Sequence, residues 1–312
     1  MPLDPLVKAF LDQASMMPRL QMGDMPLSLT RQTFAHMMSM MGPRDVPVGK
    51  VQNVTIPGPA GDIRARVYSP VAMGGAAHPA LVYFHGGGFV LGDLDTHDGL
   101  CRLIAHEGEF VVVAVDYRRA PENKWPAQLD DGLAATRWLF ANAPSLGIDA
   151  GRIAIGGDSA GGMLAAAVAQ RVKALGGLRI AFQMLLFPVT DFAADSGSMD
   201  RYAVGYFMEK QTIEWCHSQV LPPGADRAAL SPLHAKDVSG LPPAFIMLGG
   251  FDPLHDQGLA YAEKLKAAGV EVTVADYSDM VHCFIYLQSV LPQAHDAMAK
   301  AAMAVAQALD KS

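Results

Sequence analysis

The 312 residues, 51% hydrophobic and 18% charged, suffice for a large core and are too apolar for a disordered chain. A formal charge of −7 without any Lys/Arg cluster excludes a phosphate-binding surface, and with it a nucleic-acid partner. No run reaches the roughly 18 apolar residues of a bilayer span and Met1-Pro2-Leu3-Asp4-Pro5 does not resemble a secretory leader, so a cytoplasmic protein without stable membrane insertion is expected.

Residues 1–45 hold nine of the 18 methionines. Apolar residues recur at helical spacing in Leu6–Met17 and Leu29–Met41, with Pro18 and Pro26 as punctuation, which predicts two helices. They pack as an amphipathic segment or form a lid, where flexible, polarisable methionines suit a wall facing varied apolar groups. From Lys50 the period changes to two. Val51–Ile56 and Ile63–Tyr68 flank Pro57-Gly58-Pro59-Ala60-Gly61, the pattern of a hairpin. Ala80–Phe84 and Phe110–Val115 are continuous apolar runs of strand length, as in strands buried on both faces, and the helical stretch Thr96–Glu107 lies between them. A helix over Ala127–Asn142, a strand at Arg152–Ile155, a helix over Met163–Leu175 and a strand at Ile180–Phe187 continue the alternation.

Asp191–Leu221 breaks that rhythm with a loop and a predicted helix over Tyr206–Val220. It reads as an insertion. Strand Ala244–Leu248, helix Gln257–Ala268, strand Glu271–Ala275 and a terminal helix over Pro292–Leu309 complete the pattern. The order implies a mostly parallel sheet covered by helices on both faces. The predicted division is 1–45 and 191–221 as two parts of a helical cap, with 46–190 and 222–312 as one catalytic domain.

Within Gly156-Gly157-Asp158-Ser159-Ala160-Gly161-Gly162 the chain must turn sharply from strand to helix, exposing the Ser159 hydroxyl at a strand end. A serine needs a base, and the base needs an acceptor to hold its tautomer. His282 follows strand Glu271–Ala275 after the short loop Asp276–Val281, and Asp252 follows strand Ala244–Leu248. The order Ser159, Asp252, His282 is that of α/β-hydrolases. Asp256 reads as a helix N-cap, Asp276 and Asp279 lie close before His282, and Asp158 reads as a hydrogen-bonding support. His85-Gly86-Gly87-Gly88-Phe89 follows strand Ala80–Phe84 and can present backbone N–H groups to an oxyanion. A phosphate-binding reading of those glycines fails because the Lys-Ser/Thr of a P-loop is missing. Cys101, Cys216 and Cys283 match no metal or disulfide spacing and read as free thiols.

These segments, together with Asp116-Tyr117-Arg118-Arg119-Ala120-Pro121-Glu122, resemble the bacterial hormone-sensitive-lipase-type (family IV) carboxylesterases of the α/β-hydrolase superfamily over nearly the whole chain. The resemblance implies Ser159 as nucleophile, His282 as general base and acid, Asp252 as its orienting carboxylate, and Gly87, Gly88 and Ala160, with Gly86 less directly, as oxyanion donors. It also implies short- to medium-chain acyl esters as substrates, with Phe207 and Met208 lining the pocket. No metal or cofactor is needed, and a homodimer paired through a sheet edge is compatible. Two residues depart from the family pattern: Arg119 replaces a usual Leu, and Cys283 a usual Gly. Cleavage of amides stays open, because its transition state is alike. A binding protein on the same scaffold is the rival from another class, and His282 argues against it.

Overall fold

The computed structural model describes residues 1–16, 23–72, 74–195 and 197–310. Helices α1 (Pro5–Ser15) and α2 (Leu27–Met41) come first, followed by strands β1 (Lys50–Gly58), β2 (Gly61–Ser69) and β3 (His78–Phe84). The alternating part then runs through α3 (Asp98–Gly108), β4 (Val111–Asp116), α4 (Ala127–Asn142), β5 (Ile148–Asp158), α5 (Ala160–Leu175) and β6 (Gln183–Leu186). It closes with α6 (Gly197–Arg201), α7 (Lys210–Val220), β7 (Ala244–Phe251), α8 (His255–Ala267), β8 (Val272–Val281) and α9 (Pro292–Asp310). The expected boundaries at Met17 and Pro18, like Met22, lie outside the described residues.

The eight strands form one sheet in the order β1-β2-β4-β3-β5-β6-β7-β8. β1 and β2 are antiparallel to each other and β2 to β4, whereas all pairs from β4 to β8 are parallel. Alternation along the central strands divides the core in two. Val82 and Phe84 of β3, Val113 of β4 and Ile155 of β5 face the cluster that α4, α5 and α8 cover; Leu81, Tyr83, Val112 and Ala154 face that of α3 and α9. With both faces buried, these strands read as unbroken apolar runs.

Two predicted boundaries move. The helix expected over Tyr206–Val220 begins only at Lys210, because Gly205 and Phe207 have φ of +91° and +71°, outside helical backbone, and the Glu209 carboxylate accepts the Gly205 N–H (3.0 Å). The loop expected over Asp276–Val281 is the second half of β8. β8 is an edge strand, so Asp276, Ser278 and Asp279 sit on it without the cost they would carry in the sheet interior. A bulge in its pairing with β7, between Gly249 and Phe251, shifts the register so that Phe251 faces Val281, and His282 leaves the strand directly beside Asp252.

The N-terminal helices dock on this frame at few polar points. Asp4 caps α1 by accepting the N–H groups of Leu6 (2.7 Å) and Val7 (3.2 Å), and its own N–H donates to the Asp279 carbonyl of β8. From α2, Arg31 donates to the carbonyls of Val90 and Ala120 and forks onto Glu122 at 2.7 and 2.8 Å, holding that carboxyl down to about 2. Among the described residues, no helix is long and apolar enough to cross a membrane.

Candidate active site

The turn between β5 and α5 forces Ser159 to φ +53°, ψ −117°, a strained conformation for a residue with a side chain. Close contact explains the flanking glycines. A Cβ on Gly161 would lie 2.0 Å from the Phe84 carbonyl oxygen, and one on Gly157 2.4 Å from that same atom. The Ser159 Oγ is 3.0 Å from His282 Nε2, and His282 Nδ1 is 2.6 Å from Asp252 Oδ2. The second Asp252 oxygen accepts the Leu254 N–H at 2.7 Å, which fixes the carboxylate. Phe187 packs edge-on against the imidazole, with centroids 4.8 Å apart.

All three side chains are buried. Burial alone would lower the His282 pKa, but the Asp252 carboxylate favours the imidazolium and holds it well above the ordinary value. Together the three can transfer a proton from the hydroxyl to the ring while the carboxylate keeps Nδ1 protonated.

The other carboxylates near His282 are engaged elsewhere. Asp256 is no N-cap: Leu254 holds that position, and Asp256, in the first turn, accepts the Ser198 N–H (2.8 Å) and pairs with Arg201. Asp276 faces His255 Nε2 at 3.2 Å. Asp158 is buried behind the elbow. Its Oδ1 accepts the Tyr83 hydroxyl (2.6 Å) and the Gly86 N–H (3.0 Å), and its Oδ2 accepts the Tyr286 hydroxyl (3.0 Å). Desolvation pushes this carboxyl up, but His97 and these donors together hold it below the ordinary range.

That network corrects one expectation. The Gly86 N–H points inward to Asp158 and to His97 Nε2 (3.2 Å), so it is not available to a substrate. Gly87 and Gly88 have φ of +106° and +62°, and both border the cavity that contains Ser159; among the described residues their N–H groups have no acceptor. Ala160 opens α5, so its N–H lacks an intrahelical acceptor as well. His85 shapes the loop from within: its Nδ1 donates to the Gly86 carbonyl (2.8 Å), its ring stacks on Tyr117, and burial lowers its pKa to about 3.

Residues 81–286 match a family model described as an α/β-hydrolase fold. The chain belongs to that α/β-hydrolase family, in its hormone-sensitive-lipase-type branch. It is 45% identical over 247 residues to the carboxylic ester hydrolase LipN of Mycobacterium tuberculosis, a match spanning 76% of this chain and 65% of that one. Identity to the ethyl acetate hydrolase of Pseudomonas putida is 41%, covering 78% of each. An α/β-hydrolase enzyme from the metagenome of Lake Arreo, Spain, superposes with a TM-score of 0.94 at 39% identity, covering 98% of both chains. A hyperthermophilic esterase of Pyrobaculum calidifontis does so at 0.93 and 36%, covering 98% of this chain and 99% of that one. The chain is thus an enzyme of the serine carboxylic ester hydrolase class.

Above Ser159 the enzyme encloses a cavity of about 200 Å³. Phe207 and Met208, singled out in the sequence, line it, as do Met37, Met38 and Met41 of α2. A wider cleft of about 450 Å³ lies beyond Met38 and Tyr286, among Arg44, Asp95, Asp98 and Arg102, and does not include Ser159. Other wall residues were not legible in sequence. Phe192 comes from the segment after β6, and Thr212, Ile213, Cys216 and His217 come from α7. The four-residue steps from Thr212 to Cys216 and from Ile213 to His217 were the available signal of a single helix face.

The two departures from the family pattern part ways. Arg119 supports the loop after β3, donating to the Gly92 carbonyl at 2.6 Å. Cys283 has φ +61°, the left-handed backbone for which glycine is suited, and its partly exposed side chain borders the cavity. Burial pushes this thiol up although His282 stands beside it.

Proposed function

We propose that the enzyme hydrolyses short- to medium-chain acyl esters through an acyl-enzyme on Ser159. The observation that carries this reading is the continuous chain Ser159 Oγ, His282, Asp252 at 3.0 and 2.6 Å, opening on an apolar cavity. His282 Nε2 takes the hydroxyl proton as Oγ attacks the ester carbonyl, and the negative charge on the carbonyl oxygen is met by the N–H groups of Gly87, Gly88 and Ala160. The same ring then gives the proton to the leaving alcohol. Water, deprotonated by His282, attacks the acyl group and frees Ser159. Asp252 stabilises the imidazolium at both stages.

Chain length follows from space. A cavity of about 200 Å³ is small beside the roughly 300–1,000 Å³ of sites for drug-sized ligands. The ester in the name of the Pseudomonas putida relative is equally small. We assign residues 1–45 and 191–221 to one cap, because α2 and α7 both contribute to the cavity wall over Ser159.

The test is a series of p-nitrophenyl esters from acetate to dodecanoate, run on wild type and Ser159→Ala. Activity should peak at short to medium chains and fall by about 10³-fold or more in the variant. Wild-type rates in Ser159→Ala, or a preference for the longest chain, would overturn the assignment. A matched anilide, turned over far more slowly than its ester, separates ester from amide hydrolysis.

A further inference from the structure

His217 is a polar side chain in an apolar wall. It is 8% exposed and borders the cavity, yet among the described residues its imidazole has no hydrogen-bond partner. Its ring meets the Phe192 ring edge-on at 5.1 Å. Three other polar side chains on this wall are already engaged. His97 Nδ1 is 2.8 Å from the Thr96 hydroxyl and its Nε2 accepts the Gly86 N–H, while Asp158 and Tyr286 bind each other.

The ring nitrogens are not sealed inside the protein, so they stay open to a polar group that enters the site. The position adjoins the glycine loop that borders Ser159. His217 lies one residue after Cys216, whose Sγ would be only 2.3 Å from a Cβ on Gly88, so this turn of α7 rests on the proposed oxyanion loop. Phe192, which carries the His217 contact, also meets Phe89 of that loop, with centroids 6.2 Å apart.

We propose that His217 is a specificity-determining residue that hydrogen-bonds a polar oxygen, of a ketone, hydroxyl or second ester, on an otherwise apolar ester substrate. This rests on the Ser159 reading and narrows its substrate class. Burial, with a smaller push from Arg227 and a smaller pull from Asp191, lowers the His217 pKa to about 4. At neutral pH the ring therefore offers one N–H donor and one acceptor, suited to an uncharged polar group rather than to a carboxylate. A site built to hydrogen-bond a substrate group discriminates against analogues lacking it more strongly than an apolar pocket discriminates by size.

Two matched pairs distinguish the parts of the ester that could carry the oxygen. Rates on p-nitrophenyl 4-oxopentanoate against p-nitrophenyl pentanoate probe the acyl side. Acetonyl butanoate against propyl butanoate, followed by pH-stat, probes the alcohol side. In one pair the kcat/KM ratio of oxo to plain ester should fall about tenfold in His217→Phe and be largely kept in His217→Asn. Each ratio is taken within one sample, so a partly folded variant does not distort it. A ratio unchanged by His217→Phe in both pairs would overturn the proposal. Binding supplies the second readout. In Ser159→Ala the oxo ester should raise the Tm more than its plain partner, and adding His217→Phe should erase that difference. Turnover persisting in Ser159→Ala would overturn the nucleophile assignment alone, whereas a Tm difference that survives His217→Phe would sink the role of His217.

Discussion

At the carboxyl ends of β5, β7 and β8, the ionisable side chains of the candidate site are held from two or more sides: His282 between Ser159 and Asp252, and Asp158 between Gly86, Tyr83 and Tyr286. The wall above differs. α2 and the 191–221 segment enclose the cavity mainly with methionine, phenylalanine and other apolar side chains, and α2 is tied to the sheet body through Arg31. Directional bonds fix the first region to a few tenths of an ångström, which proton transfer requires. Apolar packing gives the second a shape without a fixed arrangement, which suits acceptance of related chains. Substitutions below should therefore change rate and pH dependence, and substitutions above should change substrate preference and affinity.

The largest effect is expected at Asp252. Asp252→Asn leaves a polar group of the same shape but releases the Nδ1 tautomer, and kcat should fall by about 10⁴-fold. The carboxylate also raises the His282 pKa, and the base acts only when neutral. Removing the charge lowers that pKa, so the acid limb of the pH–kcat/KM profile should move to lower pH in the variant. A limb that stays in place would mean that Asp252 does not set the ionisation of His282.

Asp158→Ala sharpens the comparison at the next level down, because Asp158 bonds the loop and not Ser159 or His282. It would strand the hydroxyls of Tyr83 and Tyr286 and leave the Gly86 N–H only the longer bond to His97 Nε2, so the loop bearing Gly87 and Gly88 loses its main anchor. A kcat loss of about 10²-fold is expected, with a destabilisation of roughly 3 kcal/mol by urea unfolding. Unaltered kcat with lowered stability would confine Asp158 to the fold.

The smallest effect belongs to the wall. Arg31→Ala cuts the ion pair to a half-exposed Glu122 and two carbonyl contacts; stability should fall by about 1 kcal/mol, and KM for a butyrate ester should rise a few-fold. Arg31 depresses the Glu122 pKa to about 2, so the ion-pair part of the stabilisation is present above pH 4.5 and is lost as pH falls toward 2. Thermal unfolding of both proteins should therefore draw closer together between pH 4.5 and 3. A constant gap would assign the effect to the carbonyl contacts.

Much of this was legible beforehand where chemistry restricts residue type. The elbow needs Gly157 and Gly161 because backbone lies within 2.4 Å of their missing side chains, and the serine, histidine and carboxylate must each stand at a strand end. Position 282 was nonetheless reached through a mistaken loop. Polar residues on an edge strand look like a turn in sequence, and only the pairing of Tyr277 and Val281 with β7 identifies them as strand. The Gly86 assignment failed for a related reason. Three consecutive glycines offer three N–H groups, and their directions depend on a partner 72 residues away.

Sequence by itself determined the order of elements, the division of strands into buried and half-buried, and the residue types available for the chemistry, because periodicity and reactivity are properties of residue type and spacing. Tertiary structure alone decided which carboxylate meets His282, which way the Gly86 N–H points, and that α2 and α7 meet over Ser159 with His217 facing the cavity. Those outcomes depend on distances between residues remote in the chain, and a hydrogen bond made or missed by an ångström leaves no trace in composition or pattern.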